Sequence, residues 1–148
     1  MTEKKVIISI SGMQTYEGLD RDSSEFVTSG IYTTCDNGDS FLRYRESELT
    51  GLGNTETTFH VAPDRVEITR TGEVNTHMLF KEGTKYFSMY KSPVGTVTVG
   101  VNTQSLTKKL REDGGDIEIT YATDIDRSVI GVNIVKVRFQ ESGNAPVQ

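Results

Sequence analysis

From Val6 to Phe139 the chain runs as short stretches in which apolar and polar residues alternate. Turn chemistry separates them: Asp36-Asn37-Gly38-Asp39, Gly51-Leu52-Gly53-Asn54, Pro63-Asp64, Thr71-Gly72, Glu82-Gly83, Ser92-Pro93-Val94-Gly95 and Asp113-Gly114-Gly115-Asp116. Period-two alternation bounded by Gly, Pro, Asn and Asp predicts strands joined by hairpins. The whole pattern predicts an all-β fold, a single antiparallel up-and-down β-barrel of about 8–10 strands.

The phase of each stretch says which side chains enter the barrel. Val6, Ile8 and Ile10 share a face. Gln14 to Ser24 is polar and reads as a loop. Gly30, inside the β-rich stretch Phe26 to Cys35, suggests a bend. In Phe41 to Leu49, Leu42, Tyr44, Glu46 and Glu48 oppose Phe41, Arg43 and Arg45. Burying two arginines costs more than exposing one Phe, so Leu42 and Tyr44 are expected inside. Phe59 and Val61 are in phase, as are Val66, Ile68 and Arg70, and Met78 and Phe80. Tyr86 to Tyr90 is apolar on both faces, and alternation does not orient it. Val97, Val99 and Val101 share a face.

Thr103 to Asp113 fits either a strand or a helix capped by Thr103, with Leu106 and Leu110 four apart. A strand pairing with Asp116 to Ala122 is preferred. The last stretch, Ser128 to Phe139, changes phase, and a bulge near Asn133 would produce the switch. One domain is expected over residues 1–148, with an ordered core of about 5–140 and a frayed tail from Glu141 to Gln148.

Composition narrows the functional classes. The net charge is −5, against a nucleic-acid partner or an anionic membrane surface. The basic cluster Lys108, Lys109 and Arg111 is answered by Glu112, Asp113 and Asp116, as at a solvated strand end. Cys35 is the sole cysteine, so no intrachain disulfide forms, and a small buried apolar role is expected for it. No signal-peptide run, membrane span or Asn-X-Ser/Thr sequon is present, which makes a cytoplasmic location the default.

Two inward positions are not apolar. Glu46 continues the face of Leu42 and Tyr44, and Arg70 continues that of Val66 and Ile68. With one strand between them, their backbones are roughly 10 Å apart and the side chains can meet. An inward charge must be paired or wetted. The pair is either a structural ion pair or an anion site, in which Arg70 meets a carboxylate or phosphate and Glu46 and Tyr44 orient it. The ion pair is the commoner outcome for such residues. A one-residue slip in register would turn Arg70 outward.

His60 and His77 oppose inward residues and are expected at the surface. No Cys or His spacing suggests a metal, and no cofactor is expected. Gly51-Leu52-Gly53 lacks the third glycine of a dinucleotide fingerprint and reads as a hairpin turn. Asp36-Asn37-Gly38-Asp39 is explained by turn chemistry rather than calcium, and Asp124 and Asp126 are read as a turn.

Four stretches together resemble one family: Tyr44–Leu52 (YRESELTGL), Ile68–Phe80 (ITRTGEVNTHMLF), Ser92–Gly95 (SPVG) and Gly114–Tyr121 (GGDIEITY). In this order they resemble the YwiB-like proteins, uncharacterised proteins of Gram-positive bacteria. The resemblance implies a calycin-type, lipocalin-like barrel in a cytoplasmic bacterial protein, and a strand over Leu106 to Leu110. It brings no catalytic residues. The family often has an aromatic residue where this chain has Val94.

The expected function is binding of a small amphipathic or anionic molecule inside the barrel, without catalysis. Arg70 is the anion anchor, Glu46 and Tyr44 surround it, and Met78 and Tyr121 are wall candidates. The alternative is an interaction or structural module with a filled barrel. A third reading, an enzyme with Glu46 as base, needs that carboxylate displaced from Arg70. No nucleic-acid or membrane partner is expected, and the chain is read as a monomer or homodimer.

Overall fold

The computed structural model describes residues 1–15, 21–46, 54–72, 75–92 and 95–142. All regular structure among them is β. The ten strands are β1 (Thr2–Thr15), β2 (Arg21–Thr34), β3 (Ser40–Arg45), β4 (Thr55–Val61), β5 (Val66–Gly72), β6 (Thr76–Phe80), β7 (Lys85–Ser92), β8 (Gly95–Arg111), β9 (Gly114–Ile125) and β10 (Ser128–Glu141). They form one antiparallel sheet in the order β6-β5-β4-β3-β2-β1-β10-β9-β8-β7. The two ends of that order meet, so the sheet curls into a nearly closed barrel. Between β6 and β7 no strand ladder forms, and this is the seam.

Alternation was a sound guide to the interior. Val6, Ile8, Leu42, Val66, Phe80 and Ile119 are all buried in one core. Each strand buries one face because side chains point alternately to the two sides of the sheet. Two aromatic pairs pack in the interior: Tyr32 on Phe139, ring centres 4.7 Å apart, and Phe80 on Tyr121, 4.8 Å apart. These tilted contacts match the preferred geometry of aromatic rings.

Gly30 allows a close approach. A Cβ there would lie 2.5 Å from the Arg43 carbonyl oxygen and 2.5 Å from Ile8 Cδ1. The residue is needed where β3 presses on β2.

Several local expectations are corrected. Gln14 and Thr15 belong to β1 and Arg21 to Ser24 to β2, so polar residues at both ends of the expected loop extend strands, and residues 16–20 lie outside the described residues. Polar composition misled because one face of each strand meets solvent. Thr103 to Arg111 is strand, as preferred, but the ladder slips between Thr103 and Ser105. The slip in β10 lies between Val129 and Gly131, not near Asn133. From Gly131 onward the register is regular, and Asn133 is an inward polar residue whose Nδ2 donates to Thr123 Oγ1 at 2.7 Å. A polar residue in an apolar phase imitates a bulge. Asp124 is not a turn residue; it is a buried part of β9, joined to Lys85 Nζ at 2.8 Å. Cys35 is free and half-buried, so it is less enclosed than expected. The Gly51-Leu52-Gly53 turn and the tail beyond Ser142 lie outside the described residues.

The seam is tied at one end by groups other than a ladder. Gly83 N–H donates to the Thr103 carbonyl at 3.1 Å, and Thr103 N–H to that of Thr84 at 3.2 Å. Leu106 N–H donates to Glu82 Oε1 at 2.9 Å. Lys108 Nζ donates to the carbonyls of Ala62 and Pro63, so it closes a barrel end instead of joining a solvated cluster. Its partial burial pushes the ammonium pKa down.

Candidate functional site: the polar end of the barrel

The interior changes character along its axis. At the end capped by the turns after β2, β4 and β6 it is apolar. At the opposite end, interior-facing positions become Glu46, Thr55, Thr57, Arg70 and Thr76 on one wall. Thr123 and Asn133 occupy the other, where Tyr121 leads into the apolar part.

Sequence alternation placed Glu46 and Arg70 inward with one strand between them, and the register agrees. Tyr44 pairs with Thr57 of β4, and Thr57 pairs with Arg70 of β5. Glu46 follows β3, and its N–H donates to the Thr55 carbonyl at 2.8 Å. Its residue is only 6% exposed. Arg70 Nε lies 3.8 Å from Glu46 Oε2, close enough for an ion pair and too far for a hydrogen bond.

Thr57 takes the hydrogen bond that Arg70 does not. Its hydroxyl donates to Glu46 Oε2 at 2.5 Å, in the short range of O–H···O⁻ contacts. Sequence reasoning missed Thr57 because a threonine in a β-rich stretch is unremarkable. Its role depends on which neighbour lies across the ladder.

Tyr44 is buried beside this pair. Burial first, and then the charge of Glu46, push its hydroxyl well above the ordinary phenol range. The phenol is therefore a neutral O–H. Its ring lies 6.4 Å from those of Phe26 and Phe59.

Two polar atoms on this wall are buried without a hydrogen-bond partner: Arg70 Nε and Thr76 Oγ1. Arg70 and Thr76 are directly opposite across the β5–β6 ladder. A buried polar atom left unpaired costs about 1–3 kcal/mol, so these two neighbours are the least satisfied atoms on this wall. Thr103 Oγ1 is a third such atom, beside the slip in β8. The Arg70 side chain is 27% exposed, so the wall is reachable from the barrel end. Met78 and Tyr121 are half-buried and pack against the core, with Phe26 beside Tyr44.

The histidines lie on the outer side, as alternation says, but they are not isolated. His60 Nε2 contacts Asp39 Oδ2 at 2.8 Å, and the ring stacks on Phe41 with centres 4.5 Å apart. His77 Nε2 contacts Glu67 Oε1 at 2.9 Å, and Nδ1 contacts the Tyr86 hydroxyl across the seam at 3.0 Å. The hydrogen bond from Arg65, and then that from His77, hold the Glu67 carboxyl below its ordinary range. Among the described residues no group of three or more His, Cys, Asp or Glu is arranged to hold a metal. No helix there is long and apolar enough to cross a membrane.

The geometry defines a class first: a ten-stranded antiparallel barrel with an apolar core and one polar end. The chain belongs to the family described as Domain of unknown function (DUF1934), which matches residues 8–137. Its fold is similar to that of the YwiB protein from Bacillus subtilis, with a TM-score of 0.78 and 22% sequence identity. The match covers 95% of this chain and 93% of that one. The YwiB-like resemblance in the sequence is thus borne out. No curated protein matches the chain.

Proposed function

We propose that this chain is a non-enzymatic binding protein of calycin type, cytoplasmic, that holds a small anionic or amphipathic molecule at the polar end of its barrel. The observation that carries the reading is the adjacent pair of unpartnered buried atoms, Arg70 Nε and Thr76 Oγ1. A carboxylate or phosphate oxygen there would satisfy both. Glu46, held by Thr57, orients Arg70 without fully engaging it. The neutral Tyr44 O–H offers a further donor or acceptor. An apolar ligand body would lie along Met78, Tyr121 and Phe26. The packed apolar core supports a short ligand confined to one end.

The base role for Glu46 is not proposed. Its Oε2 already accepts from Thr57, and Arg70 Nε lies 3.8 Å from the same oxygen.

Native mass spectrometry of protein purified from its own host tests the binding reading. A co-purifying small molecule lost in Arg70→Met and retained in the exposed control Lys136→Gln is the expected result. A bare mass from intact, folded protein overturns it.

One observation favours the interaction module as a second reading. Phe87 and Met89 are 55% and 68% exposed on β7, a strand at the seam. Self-association through them would appear in sedimentation velocity as a dimer that Met89→Ser dissociates. A monomer at every concentration removes that reading.

A further inference from the structure

A trough lies on the outer surface of the barrel, across β1, β2 and β3. The ladder between β2 and β3 ends at Gly30 opposite Tyr44, whereas that between β1 and β2 continues to Thr15 opposite Arg21. Where β3 stops accompanying β2, and the side chains of β2 are as small as Ser29 and Gly30, the outer face sinks into a trough of about 490 Å³. Lys5, Arg43 and Arg45 rim it, and Glu56 is the one carboxylate among its lining residues.

Lys4, Arg65, Lys85, Arg111 and Arg138 each hold a carboxylate within 4 Å. Among the described residues, Lys5, Arg43 and Arg45 hold none, although acidic residues outnumber basic ones in the chain by 21 to 16. Lys109 and Lys136 also lack an ion pair among those residues, but they share their groove with Glu25, Asp116 and Glu118, whereas the three cations here share theirs with Glu56 alone. Glu56 is the cross-strand partner of Arg45 and still forms no ion pair with it. All three cationic residues are exposed, so they pay no desolvation cost that would call for a partner.

The ladder fixes their spacing. Arg43 and Arg45 share a face two residues apart, about 7 Å along the strand. Ile31 lies opposite both Arg43 and Lys5, which sets Lys5 two strand spacings from Arg43, roughly 10 Å. Long side chains from these points can converge on an object a few ångströms across. Guanidinium groups bind carboxylate and phosphate oxygens in a bidentate manner, and an ammonium adds a point charge. The Ser29 and Ser142 hydroxyls line the same trough.

We propose that this trough is a binding site for a small polyanion carrying at least two phosphoryl or carboxylate groups close together. It is separate from the polar end of the barrel and does not depend on the role of Arg70. Glu56 acts as an internal competitor for Arg45, so its charge weakens the site.

Isothermal titration of the full chain with pyrophosphate, orthophosphate and citrate tests the proposal. Saturable binding is expected, with pyrophosphate or citrate tighter than orthophosphate and affinity falling as salt rises. Preference between the first two assigns the site to phosphoryl or carboxylate chemistry. Arg43→Gln with Arg45→Gln should weaken binding by about tenfold or more, and Glu56→Gln should tighten it. All three positions lie on the outer face, so the variants are expected to fold, as circular dichroism would check. In an Arg70→Met background, which removes the anion anchor at the barrel end, saturable binding at the trough should persist. Absence of saturation overturns the proposal, as does binding that survives loss of both arginines in the Arg70→Met background. Binding abolished by Arg70→Met instead would move the anion to the barrel end and equally overturn the trough.

Discussion

At the residue scale the protein turns on what each buried polar atom has for a partner. Glu46 is among the most enclosed charges in the chain, and Thr57 gives it a direct hydrogen bond. Thr57→Val keeps the shape of the side chain and removes that donor. Hydrogen bonds to charged groups are worth about 1.5–3 kcal/mol, and a loss of that size is expected in urea-induced unfolding. An unchanged midpoint would mean that Arg70 closes the 3.8 Å gap and takes over. Gly30 makes the complementary steric point. Gly30→Ala drives a methyl group into the Arg43 carbonyl and Ile8, and about 1–3 kcal/mol of destabilisation should follow. A thermal melt equal to that of the unaltered protein would show that β3 can move away at little cost.

At the element scale the weak place is the seam. β1 is laddered on both sides, by β2 and β10, whereas β6 has only β5 and β7 only β8. Backbone groups facing the seam have no ladder to protect them, and local opening follows few protective bonds. Amide hydrogen exchange followed by mass spectrometry should find β6 and β7 exchanging well before β1 and β10. Equal protection would mean that Phe80–Tyr121 packing and the His77–Tyr86 contact close the seam as firmly as a ladder. Neither the seam nor its fastenings is visible in the alternation. A strand with one partner and a strand with two read alike, because the side-chain period is two in both. Glu82, Lys108 and Tyr86 find their partners only because the ends of the sheet meet.

At the scale of the whole molecule, acidic groups are held by cations over much of the outer surface. Glu67 is lowered by Arg65 and then His77, and Asp116 by Arg138 and then Arg111. A carboxyl whose folded-state pKa lies below its unfolded value contributes stability at pH above the unfolded value. That contribution is lost as pH falls through the folded value. Stability should therefore hold down to the ordinary carboxylate range and decline below it. Glu67→Gln should flatten the acid limb by no more than about 1 kcal/mol, since the group is partly screened by solvent. Melting curves recorded from neutral pH into acid would check this; an acid limb identical in the variant would assign the loss to other groups.

The sequence by itself determined the fold class, the interior set of residues and the inward direction of Glu46 and Arg70. Each follows from a period of two and from the cost of burying charge, and both are local properties of the chain. Legibility failed where a polar residue occupied an inward position, as with Asn133, or was buried on the outer face, as with Asp124. It failed too at Thr57 and Thr76, whose residue type says little. Only the tertiary structure decided which atoms remain unpartnered, where the barrel stays open and where Lys5, Arg43 and Arg45 gather. Those outcomes depend on register and on closure of the sheet, which bring together residues far apart along the chain.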